Sequence, residues 1–132
     1  MTRRSELSLP AVPESLARAR AHLVDVVGPT VTPEELFDLQ VAVGEACTNV
    51  IRHAAAPVFT VRVLVGEADV TVEVEDRGRG VDPSALAVPL PAEGPSGRGF
   101  ALMRALVDAV EVTASPGGTC VRLRKRRTPV AW

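Results

Sequence analysis

Residues 32–53 read TPEELFDLQVAVGEACTNVIRH, and this stretch predicts one long helix around which the fold is organised. Thr32 and Glu35 have the spacing of a capping box, in which each side chain accepts a hydrogen bond from the other residue's backbone N–H. Pro33 fits the first helical turn. Apolar side chains recur with the helical period at Leu36, Leu39, Val43, Ala46 and Val50. One face of this helix is therefore expected to pack into a core.

The segments on either side predict an α+β sandwich. Alternating apolar residues predict strands at 6–10, 59–65, 70–76, 109–114 and 119–125, and helical spacing predicts further helices at 13–27 and from about residue 97. The stretch 81–96 is rich in proline, alanine and glycine, which predicts a long loop of the kind that often forms a functional lid. Hairpins with segregated helices predict a single two-layer domain over residues 1–132.

Composition and charge restrict the class of protein. The chain has 132 residues, of which 46% are apolar and 23% charged, the profile of a soluble globular domain with a core. A formal net charge of −1 argues against direct binding to nucleic acid. No apolar run approaches the roughly 18 residues of a membrane span, and no signal peptide is recognisable. We therefore expect a cytoplasmic protein.

Two cysteines and a basic segment have ordinary interpretations. Cys47 and Cys120 lack the spacing of a zinc site, so we expect two buried thiols in a reducing compartment. A run of basic residues is more often a solvated strand end than a docking patch. The run comprises Arg122, Arg124, Lys125, Arg126 and Arg127. Trp132 is interpreted as a tail residue rather than a docking anchor.

A polar row lies beside the apolar stripe of the long helix. Glu45, Asn49 and His53 are spaced four residues apart and project from one helix face. An Asn oxygen is a hard ligand suited to Mg²⁺, and a carboxylate one turn earlier could deprotonate a hydroxyl that attacks a γ-phosphate. The alternative is a solvated polar face, and a plain helix-end histidine is favoured for His53.

Asp76 follows a strand with strict alternation. It shares the parity of Val70, Val72 and Val74, so its carboxylate is expected to point toward the core side of the sheet. A buried carboxylate needs hydrogen-bond donors, and the amino group of adenine is one. Glycines at 78 and 80 would leave room for a flat ring. The alternative is an ordinary Asp-x-Gly turn.

Two further glycine-rich segments could contact phosphate. The run Gly97-Arg98-Gly99-Phe100 leads into a helix, and backbone N–H groups at a helix N-terminus favour anions. Thr119 follows Gly117-Gly118, and its hydroxyl could contact a phosphate or Asp76. The alternatives are a flexible helix start and a plain hairpin turn.

In this order, these motifs resemble those of the GHKL ATPase superfamily. Glu45 to Asn49 is similar to its N box, Asp76-x-Gly78-x-Gly80 to its G1 box, and Gly97-x-Gly99 to its G2 box. The string GRGFALMRALVDAVEV over 97–112 is especially similar to the anti-sigma-factor serine/threonine kinases of bacteria. Gly118-Thr119 is similar to its final glycine–threonine element. Four ordered motifs are far more specific than any one of them.

The resemblance implies a Bergerat fold, with a mixed, mainly antiparallel sheet and about three helices on one face. It implies Mg-ATP as cofactor, with Glu45 as general base, Asn49 on Mg²⁺ and Asp76 on adenine. The other implied ligand positions are His53, Gly78, Gly80, Gly97, Arg98, Gly99, Phe100 and Thr119. Implied partners are a STAS-type anti-anti-sigma factor that is phosphorylated, a sigma factor that is held, and a second copy of the chain.

Two alternatives differ in class from a kinase. One is a regulatory module that uses ATP only to set the shape of a partner surface. The other is a structural α+β protein with accidental glycine motifs. The presence of Glu45 favours a kinase over the first, because a shape switch needs no general base.

Overall fold

The computed structural model describes residues 3–53, 56–77, 95–115 and 117–128. The strands are β1 (Arg3–Pro10), β2 (Val58–Val65), β3 (Asp69–Asp76), β4 (Ala109–Ser115) and β5 (Gly118–Arg126). The helices are α1 (Ser15–Val27), α2 (Pro33–His53) and α3 (Pro95–Leu106), and a 3₁₀ turn covers Gly28–Thr30. The α+β class and the three helices are confirmed.

The five strands form one sheet in the order β1-β2-β3-β5-β4. All four pairings among the described strands are antiparallel, so this part of the sheet has no parallel pair of the kind that a mixed sheet would contain. Hairpins join β2 to β3 and β4 to β5, whereas α1 and α2 connect β1 to β2 and α3 connects β3 to β4. The arrangement keeps the helices together in one layer.

One face of the sheet and the three helices enclose the core. Val61, Val74 and Val121 lie opposite one another on adjacent strands, and all three are buried. Along this face α1 contacts β1 and β2, α2 contacts β3 and β5, and α3 contacts β4. Because side chains alternate along each strand, the apolar residues of all strands meet the helices in one layer.

The opposite face of the sheet is polar and carries alternating charges. The register places Glu6, Arg62, Glu73, Arg122 and Glu111 side by side across the five strands. The Nε of Arg62 lies 3.3 Å from Oε1 of Glu73. A polar second face is typical of an antiparallel sheet that is covered by helices on one side only.

Helix α2 begins as the capping box predicts. The N–H of Thr32 donates to Oε1 of Glu35 at 2.9 Å, and the N–H of Glu35 donates to the Thr32 hydroxyl at 3.2 Å. The helix then continues to His53, so both predicted ends are confirmed. No helix of the described residues is both long and apolar enough to cross a membrane.

Helix α3 begins earlier than the sequence suggests. Pro95 and Ser96, which we assigned to the 81–96 lid, form its first turn. Proline is favoured there because its fixed φ suits a helix and its missing N–H has no intrahelical acceptor to lose. The rest of the predicted lid, residues 81–94, lies outside the described residues.

The expectations for Cys120 and for the basic run need correction. Cys47 is buried, but Cys120 is only partly buried because it lies on the polar face of β5. Lys125, with 14% of its side chain exposed, lies 3.1 Å from the Asp38 carboxylate on α2 and donates to the Leu106 carbonyl at 2.7 Å. Lys125 is therefore not a solvated strand end.

Arg127 is also bound to the body of the protein. Its Nε donates to the Gly66 carbonyl at 2.7 Å, and its terminal nitrogen Nη1 donates to the Thr30 carbonyl at 2.9 Å. These carbonyls belong to the β2–β3 turn and the α1–α2 connection. Lys125 and Arg127 thus connect the end of β5 to the first half of the chain, whereas Arg122, Arg124 and Arg126 are exposed as predicted.

Candidate functional site

Two polar side chains of α2 meet a glycine of α3. A Cβ atom built on Gly99 would lie 3.2 Å from Oε2 of Glu45 and 3.5 Å from Nδ2 of Asn49. Helices α2 and α3 pack against each other, and the absence of a side chain at residue 99 lets α3 approach the polar row. The structure therefore brings together the residues predicted from the first and third motifs.

The Asn49 side chain supplies an independent sign of a ligand. Its Nδ2 atom is buried and has no hydrogen-bond partner among the described residues. A buried amide with an unmet group costs on the order of 1–3 kcal/mol, so such groups are rare without a functional reason. An unpaired N–H donor beside the Glu45 carboxylate and Gly99 fits a site that binds a molecule with a hydrogen-bond acceptor.

Asp76 is the second predicted centre, and its orientation is confirmed. It is the last residue of β3 and is 7% exposed, which makes it one of the few buried charged or polar residues. It pairs with Phe59 on β2 and with Thr119 on β5. Parity therefore predicted its side correctly, and Thr119 lies directly across from it.

Gly118 shapes the surroundings of Asp76 in a way that the sequence did not reveal. Its φ of +151° lies where glycine is strongly favoured. A Cβ there would overlap the Asp76 carbonyl oxygen and lie 2.9 Å from Cα of Arg77. The start of β5 can therefore press against the end of β3 only with glycine. The signal was the position of this residue one before Thr119, for which a plain hairpin turn was the alternative to a contact with phosphate or Asp76.

The lengths of the elements place both centres at one end of the sheet. Thr128, which follows β5, bonds Glu35 near the start of α2, so α2 begins at the sheet end where β5 finishes. The fourteen residue steps of helix from Glu35 to Asn49 span about 21 Å, and β3 from Asp69 to Asp76 spans about 23 Å. Because α2 contacts β3 and β5, we infer that Asn49 and Asp76 share the far end.

The remaining predicted ligand positions differ in their surroundings, and some lie outside the described residues. His53 is the last residue of α2 and is exposed. Phe100 packs into the hydrophobic core at 8% exposure, so a contact of this residue with a ligand stays a prediction. Gly78, Gly80 and the side chain of Arg98 lie outside the described part of the structure.

The early start of α3 changes which backbone groups are available at its N-terminus. A helix leaves only its first four N–H positions without an intrahelical acceptor. With the helix starting at Pro95, which has no N–H, the helical residues whose N–H groups lack an intrahelical acceptor are Ser96 and Gly97. Gly99 and Phe100 lie in the second turn, so Gly99 contributes to the site through its small size rather than through its N–H.

Arg20 of α1 reaches the backbone just before Glu45 and was not predicted. A Cβ at Gly44 would lie 2.6 Å from a terminal nitrogen of Arg20, so the guanidinium lies across this glycine. Cys47 lies three residues after Gly44 on α2. Burial raises the pKa of its thiol to about 12, and the Arg20 charge offsets only part of this rise. Cys47 therefore stays protonated and is not a nucleophile of the site.

Comparisons with known proteins agree with this geometry. A model of the histidine kinase-like ATPase domain matches residues 9–125. The anti-sigma F factor of Caldanaerobacter subterraneus is 38% identical over 103 residues, covering 71% of this chain and 72% of that relative. The serine-protein kinase RsbW of Bacillus pumilus is 36% identical over 132 residues, covering 86% and 80%.

A solved structure shows the same fold. The RsbU and RsbW domains of a Mycobacterium tuberculosis protein align with a TM-score of 0.74 at 20% identity. The alignment covers 98% of this chain but only 34% of the mycobacterial one, so this chain corresponds to about a third of that protein. The match of the domain model to most of the chain, together with relatives above 30% identity, shows that this chain belongs to the histidine kinase-like ATPase domain family.

Proposed function

We propose that this chain is an ATP-dependent protein serine/threonine kinase that also holds a sigma factor. Its phosphorylated partner would be a STAS-type anti-anti-sigma factor. The observation that carries the proposal is the meeting of Glu45 and Asn49 at Gly99, because a kinase needs a base beside a metal ligand. The names of the relatives, anti-sigma F factor and serine-protein kinase, support both halves of the proposal.

The residues present fit Mg-ATP. The unpartnered atom of the Asn49 amide is the Nδ2 donor, which suits a phosphate oxygen, while its oxygen is a hard ligand of the type that Mg²⁺ accepts alongside water and phosphate. The buried Asp76 carboxylate is an acceptor suited to the adenine amino group. We assign Mg²⁺ to Asn49, adenine to Asp76, and phosphate and sugar contacts to the glycines, Arg98 and Thr119.

When bound, Mg-ATP supplies the phosphoryl group that is transferred. In the proposed reaction Glu45 orients the hydroxyl of the partner's Ser or Thr and accepts its proton on a carboxylate oxygen. Asn49, one helical turn away from Glu45, would hold the metal through its side-chain oxygen. Because Gly99 has no side chain, α3 can approach this pair closely without displacing either side chain.

The wider setting is proposed on the same basis. We place the whole of residues 1–132 in one domain, with the 81–94 segment as an ATP lid that couples nucleotide to the partner surface. The protein would act in the cytoplasm, as a homodimer, and without contacting nucleic acid directly. The net charge of −1 supports the last point, because direct nucleic-acid binding requires a basic surface.

The decisive experiment compares two conservative variants. Glu45→Gln should abolish transfer of labelled γ-phosphate to a STAS-domain partner while largely sparing ATP binding, since Gln keeps the shape but cannot accept the proton. Asp76→Asn should weaken ATP binding itself, measured by titration calorimetry. Equal transfer rates in Glu45→Gln and wild type would remove Glu45 from the role of base.

A lack of transfer in the wild type, combined with ATP binding that Asp76→Asn weakens, would favour the regulatory module over the kinase. No ATP binding by the wild type, or binding that Asp76→Asn leaves unchanged, would overturn the pocket itself. The two measurements therefore separate the pocket from the chemistry.

A further inference from the structure

One basic residue of β5 points into the layer between the sheet and the helices. Lys125 has the strand parity of Val121 and Leu123, which are buried, and it lies opposite the buried Val70 of β3. Only 14% of its side chain is exposed. The side chain of Arg124, the residue before it, is 44% exposed and belongs to the opposite face of the sheet. A cation beneath the helices needs partners, because a buried charge without them is costly.

The Lys125 ammonium joins two helices. It lies 3.1 Å from the Asp38 carboxylate on α2 and donates to the Leu106 carbonyl at 2.7 Å. Leu106 is the last residue of α3. The final carbonyls of a helix have no intrahelical donor and carry the negative end of the helix dipole. Lys125 therefore caps the C-terminal end of α3 while it is paired with α2.

The chain just after α3 is bound to β5 on both sides of Lys125. The N–H of Asp108 donates to the Arg124 carbonyl at 2.9 Å, and the N–H of Arg126 donates to the Asp108 carboxylate at 2.7 Å. These two bonds fix where α3 ends along β5. The ammonium then fixes where that end lies along α2.

The anchor and the candidate site are the two ends of one helix pair. Leu106 lies near Asp38 through Lys125, and Gly99 lies beside Glu45, so α2 and α3 run antiparallel. Seven residue steps separate Asp38 from Glu45, and seven separate Gly99 from Leu106. Each interval spans about 10.5 Å of helix. With the end of α3 held opposite Asp38, Gly99 is placed opposite Glu45.

Stability alone does not explain an ion pair at this position. Replacing a mostly buried ion pair with apolar residues of similar size is often neutral or stabilising. The best-attested use of such pairs is to fix the register of packed elements. An unbranched apolar side chain would fill the space of the Lys125 stem, but it would hold α3 at no particular position along α2.

We propose that Lys125 is a positioning residue that fixes the axial register of α3 on α2, and thereby the approach of Gly99 to Glu45 and Asn49. It acts through α3 and touches neither the nucleotide nor the protein substrate. The kinetic consequence rests on the proposed phosphoryl transfer, whereas the register itself does not.

Lys125→Met keeps the length of the side chain and removes both polar contacts. Since a misplacement of 1 Å can cost about 10²-fold in rate, a register loosened by about half an ångström should lower kcat roughly tenfold. We expect this in transfer of labelled γ-phosphate to the STAS-domain partner at saturating ATP. The KM for the partner should not change, because the mostly buried ammonium offers it no contact surface.

Arg124→Met is the matched control. It makes the same change at the preceding residue, whose ion pair with Asp69 at 3.5 Å lies on the other face of the sheet. It should leave kcat and KM unchanged. Asp38→Asn is a second variant for the case that Lys125→Met does not fold. It removes only the ion pair, at a side chain that is 31% exposed, and should lower kcat in the same direction.

Nuclear magnetic resonance reads the register without any enzymatic activity. The backbone amide signal of Gly99 and the side-chain amide signals of Asn49 should move in Lys125→Met and Asp38→Asn. They should stay in place in Arg124→Met, and circular dichroism should show that each variant is folded. Moved signals together with a lower kcat and a constant KM would support the proposal.

Wild-type kcat in folded Lys125→Met would overturn the proposal, as would unmoved Gly99 and Asn49 signals. A fall in kcat that only follows the unfolded fraction would leave Lys125 a structural role and would overturn it too. If the wild type transfers no phosphate, the proposed kinase activity fails. Signals that move in Lys125→Met and Asp38→Asn but not in Arg124→Met would then still support the register role.

Discussion

Replacing Gly99 with alanine should separate the stability of the protein from its activity. Gly99 lies in the second turn of α3, where alanine is favoured over glycine by about 1 kcal/mol because it restricts the unfolded chain less and suits a helix better. The added methyl carbon would lie 3.2 Å from the Glu45 carboxylate, which is closer than ordinary contact. The carboxylate is the mobile end of a side chain, so it can move aside.

The size of the effect follows from that displacement. A contact of this length requires the neighbour to move by a few tenths of an ångström. Since a misplacement of 1 Å can cost about 10²-fold in rate, a shift of a few tenths should slow phosphoryl transfer by roughly three- to tenfold. The free energy of unfolding should be unchanged or rise by up to about 1 kcal/mol.

Single-turnover transfer to the STAS-domain partner and urea unfolding measure the two quantities. Gly28→Ala is the control, since its Cβ would meet neighbours at 3.8 and 3.9 Å and its backbone is helical, with a φ of −46°. It should raise stability by about 0.4–1 kcal/mol and leave transfer unchanged. Wild-type transfer by Gly99→Ala, or a parallel loss of stability and transfer, would refute the reasoning.

Three other outcomes are expected. Gly118→Ala should lower the free energy of unfolding by at least about 2 kcal/mol in urea, because φ is +151° and the methyl group would overlap the Asp76 carbonyl; a wild-type midpoint would contradict this. Burial would raise the pKa of Glu35, but hydrogen bonds from Thr32 and Thr128 lower this pKa overall from its ordinary value of 4.5. The ionised Glu35 therefore stabilises the folded protein above pH 4.5, and this stabilisation is lost as the pH falls through the lower pKa of the folded state. The stability gap between wild type and Glu35→Gln should therefore shrink in acid, and a gap independent of pH would contradict this. In native protein at pH 8, a thiol reagent should label Cys120 but not Cys47, because Cys47 is buried and its pKa is about 12. Mass spectrometry identifies the labelled residue, and labelling of Cys47 first would mean that α1 and α2 separate readily.

Features with a local cause were predictable from the sequence. The start of α2 depends on Thr32 and Glu35, three residues apart, and both predicted hydrogen bonds are present. The burial of Asp76 follows from strand parity, which needs only its neighbours along β3. Such features depend only on residues a few positions away in the chain, so the local sequence is sufficient to predict them.

Features caused by contacts distant in sequence were not predictable in this way. The role of Gly118 comes from Asp76, 42 positions earlier, and that of Gly99 from Glu45 on another helix. Lys125 was interpreted as solvated because its neighbours are basic, yet it bonds the end of α3 and Asp38. Strand parity with Val121 and Leu123 places Lys125 on the face covered by helices, but its partners on α2 and α3 depend on how the elements pack.

The anchoring of α3 shows which part of the site is rigid. Lys125 accounts for the rigid end: it bonds the Leu106 carbonyl, in the last turn of α3, and reaches Asp38 on α2 at 3.1 Å. That lysine is mostly buried, so this end of α3 is held to α2 and β5 together. At the other end of the helix Gly99 meets the polar row of α2 without a side chain of its own, while Phe100 beside it packs into the core. A small shift of α3 at Gly99 therefore meets the Glu45 and Asn49 side chains directly. Any response of α3 to a bound nucleotide is therefore expected at the Gly99 end, next to Glu45 and Asn49, where the proposed chemistry takes place.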